Sequence, residues 1–306
     1  MTKLLSIIIP SFNEEAMIEQ TARTISSILQ KENIEFELIF VDDGSKDDTW
    51  RKILHVSELD SRCHGIHFSR NFGKEAAISA GLDYMKGDAA VIIDCDLQHP
   101  PEKIVDMYKL WNEDGYEVVE AVKRTRGDES FLHRCFANLF YKMISASTGI
   151  DMMRSSDYKL LDRSVVDVLR QMKEIHSFFR AQSFWIGGKA TQIEFDVAER
   201  TAGASKWSML SLVKYAISNV TSFSAAPLYL VTIMGVIFLV IAIIFGGIAL
   251  VQKIMGIALT GFTTVILLLL IANSFLMISL GIIGYYMGKM YDEIKKRPRY
   301  IVSKQC

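Results

Sequence analysis

No charged residue stands between Lys214 and Lys253, and none between Lys253 and Lys289. Each interval exceeds the about 20 residues an α-helix needs to cross a bilayer core. Soluble helices rarely run so far without a charged face, so the pattern predicts two transmembrane helices rather than two buried core helices. They are placed at 227–251 and 262–288, joined by a short turn. Two crossings return the chain to its starting side. Lys289, Lys295, Lys296, Arg297, Arg299 and Lys304 follow the second span, whereas the loop between the spans offers Lys253. The positive-inside rule therefore puts both ends in the cytoplasm, on a multi-pass protein of the inner (plasma) membrane. The residues after the second span, 289–306, are expected to form a basic cytoplasmic tail near anionic headgroups.

The remaining two thirds reads differently. The first apolar run stops at Pro10 and meets Asn13, Glu14 and Glu15, so no cleavable signal peptide is expected. Cys63, Cys95, Cys135 and Cys306 lack paired spacing, which fits a reducing compartment and argues against a disulfide framework or a zinc site. With a net charge of −1 and no basic stripe interleaved with aromatic residues, nucleic acid is excluded as a partner.

Strands are expected at Leu4 to Ile9, Phe36 to Val41, Gly65 to Phe68 and Ala89 to Ile93, with helices beginning near Glu14, Asp48 and Lys74. Strands alternating with helices mean βαβ units, an α/β fold and a mainly parallel sheet whose strands are buried on both faces. Such sheets bind ligands outside the carboxyl ends of their strands. Three of those ends carry polar clusters: Pro10 to Glu14, Asp42 to Ser45 and Asp94 to Gln98. No glycine-rich dinucleotide or P-loop signature accompanies them. Asp94 and Asp96 would share a face if the fourth strand persisted, with Cys95 pointing the other way. Two carboxylates there, with Gln98 as a third oxygen, suit Mg²⁺ or Mn²⁺ beside a pyrophosphate. A solvated turn is the plain alternative.

SIIIPSFNEE, VDDGSKDDT, SRNFGKEAAISAGLDY and IIDCDLQHPPE, in this order, resemble the GT-A glycosyltransferases of family 2, and within them the polyprenyl-phosphate type, which includes bactoprenol glucosyltransferases and dolichol-phosphate mannose synthases. The resemblance implies a Rossmann-like GT-A domain over 1–206, an interfacial amphipathic helix over 207–226 and the two spans. It implies that Pro10, Phe12, Glu14 and Asp43 border the nucleoside, and that Asp94, Asp96 and Gln98 hold the metal and diphosphate. On the acceptor side it points to Arg124, Arg134, Arg200 and Lys206 for a lipid phosphate, since Arg and Lys suit an anionic acceptor. Arg126 and Arg163 read equally well as solvated surface charges. His176 and Arg180 read as packing or capping residues.

Asp157, Asp96 and Arg200 are the expected catalytic residues. Asp157 is either a general base or a group that orients the acceptor, because a phosphate monoester is already largely nucleophilic at neutral pH. The expected reaction is inverting transfer of a sugar, glucose first among the candidates, from a UDP-sugar to undecaprenyl phosphate for cell-envelope glycosylation. The lipid bilayer, a flippase and a second copy of the chain complete the expected partners. Two other readings are a transferase acting on a glycolipid or polysaccharide hydroxyl, and a non-catalytic membrane scaffold.

Overall fold

The computed structural model describes residues 3–124, 156–175, 177–195, 221, 226–256 and 261–306. Strand β1 (Leu4–Ser11) pairs in parallel with β2 (Glu35–Asp42), which pairs in parallel with β3 (Cys63–Phe68). On its other side β1 pairs in parallel with β4 (Ala89–Ile92). Beyond β4 the sheet changes sense. Strand β6 (Lys159–Asp162) runs antiparallel to both β4 and β5 (Val118–Lys123), and β7 (Ala190–Phe195) is parallel to β5. The order is β7-β5-β6-β4-β1-β2-β3-β8, where β8 is Val302–Gln305.

Helices cover both faces, which explains the near-continuous apolar strands. Along β1, Leu5, Ile7 and Ile9 pack with α1 (Ile18–Lys31), α2 (Thr49–Leu59) and α4 (Lys103–Asn112). Ile8 points the other way, toward α3 (Lys74–Tyr84) and α5 (Arg163–Gln171). A Cβ on Gly81 of α3 would lie 2.2 Å from Ile8 Cγ2, so this close crossing of helix over strand requires glycine. The short helix α6 (Phe179–Trp185) abuts this second layer through Phe179.

Helices α7 (Ala226–Ile254) and α8 (Phe262–Ile294) carry the long apolar runs, and the stretches Pro227–Ile254 and Leu268–Ile294 are long and apolar enough to cross a membrane. Their side chains lie outside the protein core, as in Leu239 and Leu270, each about three-fifths exposed. The hydroxyls of Thr232, Ser274 and Ser279 bond the carbonyls one turn back, which satisfies them without water. Phe238 and Phe275 meet between the two helices, ring centroids 4.4 Å apart.

The segment after the spans is not a free tail. Helix α8 continues to Ile294, and β8 extends the sheet antiparallel to β3. Tyr300 stacks on Phe68 at 5.1 Å and donates its hydroxyl to Asp83, 2.6 Å away. Arg299 reaches Ser79 of α3 and the carbonyl of Met172, while Ile175 N–H donates to Glu293 of α8. Pairing to the open β3 edge and aromatic stacking hold the end of this segment against the sheet. A basic count cannot reveal it.

Candidate active site

The register of the sheet assembles the rim. Ser11 lies opposite Asp42, Ile8 opposite Ile92, and Asp43 N–H donates to the Ser11 carbonyl, so the ends of β1, β2 and β4 open on one side. The first two ends are laced together. Asn13 N–H donates to Ser45 Oγ and Glu14 N–H to Thr49 Oγ1, both at 2.8 Å, and Lys46 N–H returns to Asn13 Oδ1 at 3.0 Å. Asn13 sits at φ 54°, a left-handed conformation Asn tolerates. Gly44 has φ 66°, and a Cβ there would strike the Arg70 carbonyl carbon at 2.4 Å. Phe12 is 38% exposed at this edge, an unusual position for a large apolar ring. Pro10 is half-buried beside it.

Asp43 accepts from Phe72 N–H at 2.6 Å and Gly73 N–H at 2.8 Å, fixing the turn that launches α3. Burial pushes its carboxyl up to about 6, against the pull of those two donors. Its neighbour Asp42 turns away to His67, 2.7 Å distant, and to Ser45 N–H.

β4 ends at Ile92, so the ladder does not persist through Asp96 and strand alternation does not decide where Asp94 and Asp96 face. A tight turn replaces it. Leu97 takes φ 54°, rare for a branched residue and costing about 1 kcal/mol or more, and Gln98 N–H donates to Asp96 Oδ1 at 3.1 Å. Backbone strain of this kind collects at functional sites. Cys95 packs inward against Thr21, whose hydroxyl donates to the Cys95 carbonyl at 2.7 Å. Burial raises its thiol to about 12, so it stays protonated and inert.

Antiparallel pairing of β6 with β4 sets Lys159 opposite Ile92, which brings Asp157 beside the Asp94 turn. Lys74 Nζ bridges the two carboxylates, 2.6 Å from Asp94 Oδ1 and 2.9 Å from Asp157 Oδ2. Arg180 grips Asp157 with Nε to Oδ1 at 2.7 Å and Nη2 to Oδ2 at 3.1 Å. Burial would raise the Asp157 carboxyl, but Arg180 and Lys74 outweigh it and hold it well below the usual range. Asp94 is lowered too, its burial outweighed by Lys74 and by His99, whose Nδ1 is 3.9 Å away. Behind Asp157 the wall is firm. Tyr158 is fully buried and donates to the Pro100 carbonyl, and Lys159 pairs with Glu120 at 3.2 Å.

Glu75 completes the cluster. It accepts from Phe179 N–H at 2.8 Å, one residue before Arg180, and burial with the neighbouring Asp157 charge pushes its carboxyl up to about 7. Lys74, Glu75 and Arg180 were not among the site residues expected from sequence, and Arg180 is an ion-pair partner rather than a packing or capping residue. One signal was legible. Lys74 is the first residue of α3, where the helix dipole disfavours a cation, so a lysine there needs another reason.

Arg124 and Arg163 fall elsewhere. Arg124 stands at the end of β5 with Nε 3.5 Å from exposed Glu194. Arg163 bonds the carbonyls of Met85 and Gly87 and so is more than a solvated charge. Arg126, Arg134, His176, Arg200, Lys206 and nearly all of the expected interfacial helix lie outside the described residues. Among the described residues, no three His, Cys, Asp or Glu side chains gather in a metal-binding group. Asp94 and Asp96 are hard oxygen donors, and Asp94 already holds a cation, the Lys74 ammonium.

Residues 6–170 match the model of the glycosyl transferase family 2. YkcC of Bacillus subtilis, described as an uncharacterized glycosyltransferase, is 38% identical and aligned over 98% of this chain and 93% of its own. A prophage bactoprenol glucosyl transferase homolog of Escherichia coli is 34% identical over 98% of each chain, and the bactoprenol glucosyl transferase of Shigella phage SfV 33% over 98% of each. The fold is like that of glucosyl-3-phosphoglycerate synthase from Mycobacterium tuberculosis, crystallised with Mn²⁺, uridine diphosphate and phosphoglyceric acid: TM-score 0.51, 17% identity, 72% of this chain and 76% of that one. The chain is a glycosyltransferase with a GT-A fold and belongs to glycosyl transferase family 2.

Proposed function

We propose that the protein transfers a sugar, glucose first among the candidates, from a UDP-sugar to a polyprenyl phosphate at the cytoplasmic face of the plasma membrane. The observation that carries this reading is the Asp94–Lys74–Asp157–Arg180 cluster at the strand-end rim of a domain attached to two membrane-length helices. The names of the relatives from Escherichia coli and Shigella phage SfV support the lipid acceptor.

The reaction needs an anionic nucleophile and an anionic leaving group in one place. An acceptor phosphate oxygen attacks the anomeric carbon, the bond from that carbon to the UDP oxygen breaks, and UDP departs with the electron pair and inversion. A phosphate monoester has a second pKa near 6, so it arrives largely ionised and needs no strong base. Asp157 suits that chemistry as a positioning group. A carboxylate held low by Arg180 and Lys74 is a poor proton acceptor, but it fixes two cations beside the attacking phosphate.

Asp94, Asp96 and Gln98 would hold Mg²⁺ or Mn²⁺, which neutralises charge on the departing diphosphate. Pro10, Phe12, Glu14 and Asp43 line the neighbouring rim for the nucleoside, with Phe12 offering a flat exposed face. Arg124, Arg134, Arg200 and Lys206 are the proposed contacts for the lipid phosphate. The test is to give the purified protein a panel of radiolabelled nucleotide sugars with polyprenyl phosphate. Metal-dependent label in the organic phase with UDP-glucose supports the reading, and no label with any donor overturns it.

A further inference from the structure

Lys74 holds two carboxylates that belong to different parts of the site. Asp94 comes from the turn after β4, and Asp157 from the approach to β6. The two differ in what remains if the ammonium moves. Asp157 keeps the bidentate Arg180, whereas among the described residues the other cationic group paired with Asp94 is His99, 3.9 Å away and charged only when protonated. The Asp94 contact is therefore the exchangeable one. Three features favour exchange: the lysine stem is flexible, its side chain is 40% exposed, and the N-terminus of α3 repels its charge.

We propose that the Lys74 ammonium is the resident cation of the Asp94 seat, which a divalent ion must displace, so that metal and nucleotide diphosphate load the site together. This rests on the reading of Asp94 and Asp96 as metal ligands. A divalent ion arriving alone meets an ammonium 2.6 Å from the oxygen it needs, and like charges at that range are costly. The diphosphate brings negative charge that offsets both, and gives the displaced ammonium new oxygens within reach of its Asp157 anchor. Lys74 is thus a positioning residue that couples the two ligands. The coupling is reciprocal, because each ligand must favour the other by the same factor.

The experiment measures Mn²⁺ binding to the full-length protein in detergent, by the electron paramagnetic resonance signal of free Mn²⁺, with and without UDP. Wild type should bind Mn²⁺ weakly alone and more tightly with UDP. Lys74→Met and the polar Lys74→Gln should each bind Mn²⁺ alone about tenfold more tightly, within the usual range of coupling between sites, with the effect of UDP shrinking in proportion. Arg180→Met, which removes the same charge from Asp157 alone, should tighten Mn²⁺ far less. Thermal unfolding identifies folded variants, and the two Lys74 substitutions keep the test open if one does not fold. Folded Lys74 variants that bind Mn²⁺ alone no more tightly than wild type overturn the inference, as does equal tightening in Arg180→Met. Wild type that binds no Mn²⁺ even with UDP overturns the metal reading itself.

Discussion

Arg180 and Asp157 meet side-on through two hydrogen bonds, Nε to Oδ1 at 2.7 Å and Nη2 to Oδ2 at 3.1 Å, although they lie 23 residues apart. A planar guanidinium matched to a carboxylate fixes orientation as well as charge, and lysine cannot reproduce it. Arg180→Lys and Arg180→Ala should each lower kcat/KM, the alanine variant by about 10²-fold, the scale of losing one preorganised electrostatic group. Asp157→Ala should do similar damage. Because the two act as a unit, the double variant should be little worse than either single one. Initial rates of the four proteins with labelled donor and polyprenyl phosphate decide it, and additive losses would show that the residues act separately.

Glu75 makes stability depend on pH in a direction opposite to most carboxylates. Its pKa rises from 4.5 to about 7 on folding, through burial and the charge of Asp157, against Arg180 and Lys74. The native state therefore binds the proton more tightly than the unfolded chain, and stability falls as pH climbs from about 4.5 to about 7. Glu75→Gln keeps a carbonyl for Phe179 N–H and removes the titration, so its thermal midpoint should decline less than wild type across that window. Asp43, raised from 3.8 to about 6, contributes a similar decline at lower pH that remains in this variant. Midpoints measured from pH 5 to 8 for both proteins make the comparison.

What the sequence makes legible follows from what repeats. Leu5 to Ile9 and Phe36 to Val41 announce buried parallel strands because both faces need apolar side chains, and the polar residues at their ends then fall on one rim. The charge-free stretches mark the two long helices because a charge within a helix built to cross a bilayer would be costly. Lys74 with Asp94, or Glu75 with Phe179, has no such signature. Those contacts depend on how α3 and α6 lie over the sheet, and no periodicity within one segment reports the distance between two. β8 is obscured for the same reason: four residues acquire strand geometry from the open edge of β3, against a local composition that reads as a charged tail.

That edge strand yields a prediction of its own. Phe68 is fully buried partly because Tyr300 covers it, and Gly65 exchanges two backbone bonds of 3.0 Å with Cys306. Deleting residues 301–306 uncovers the β3 ladder, a ready template for pairing with another chain. The truncated protein should melt at lower temperature and form larger species on light scattering. Tyr300→Phe, which retains the stack and loses the Asp83 bond, should cost about 1 kcal/mol.

Lys159 and Glu120 form a buried pair at 3.2 Å beneath the active-site wall, only 1% and 4% exposed. Ser183 Oγ accepts from Lys159, and Ser156 N–H and Gln192 Nε2 donate to Glu120, so the pair carries the segment that enters Asp157. Burial lowers the pKa of Lys159 and Glu120 opposes that shift, so removing Glu120 leaves an ammonium in a dry site. Glu120→Gln or Lys159→Met should each cost about 3–5 kcal/mol, the penalty of stranding one buried charge. Lys159→Met combined with Glu120→Gln removes both charges and should recover much of that loss, because the amide still accepts from Ser156 N–H. Denaturant unfolding of the three variants tests the coupling, and a double variant as unstable as the sum of the singles would mean that the two charges are not compensating each other.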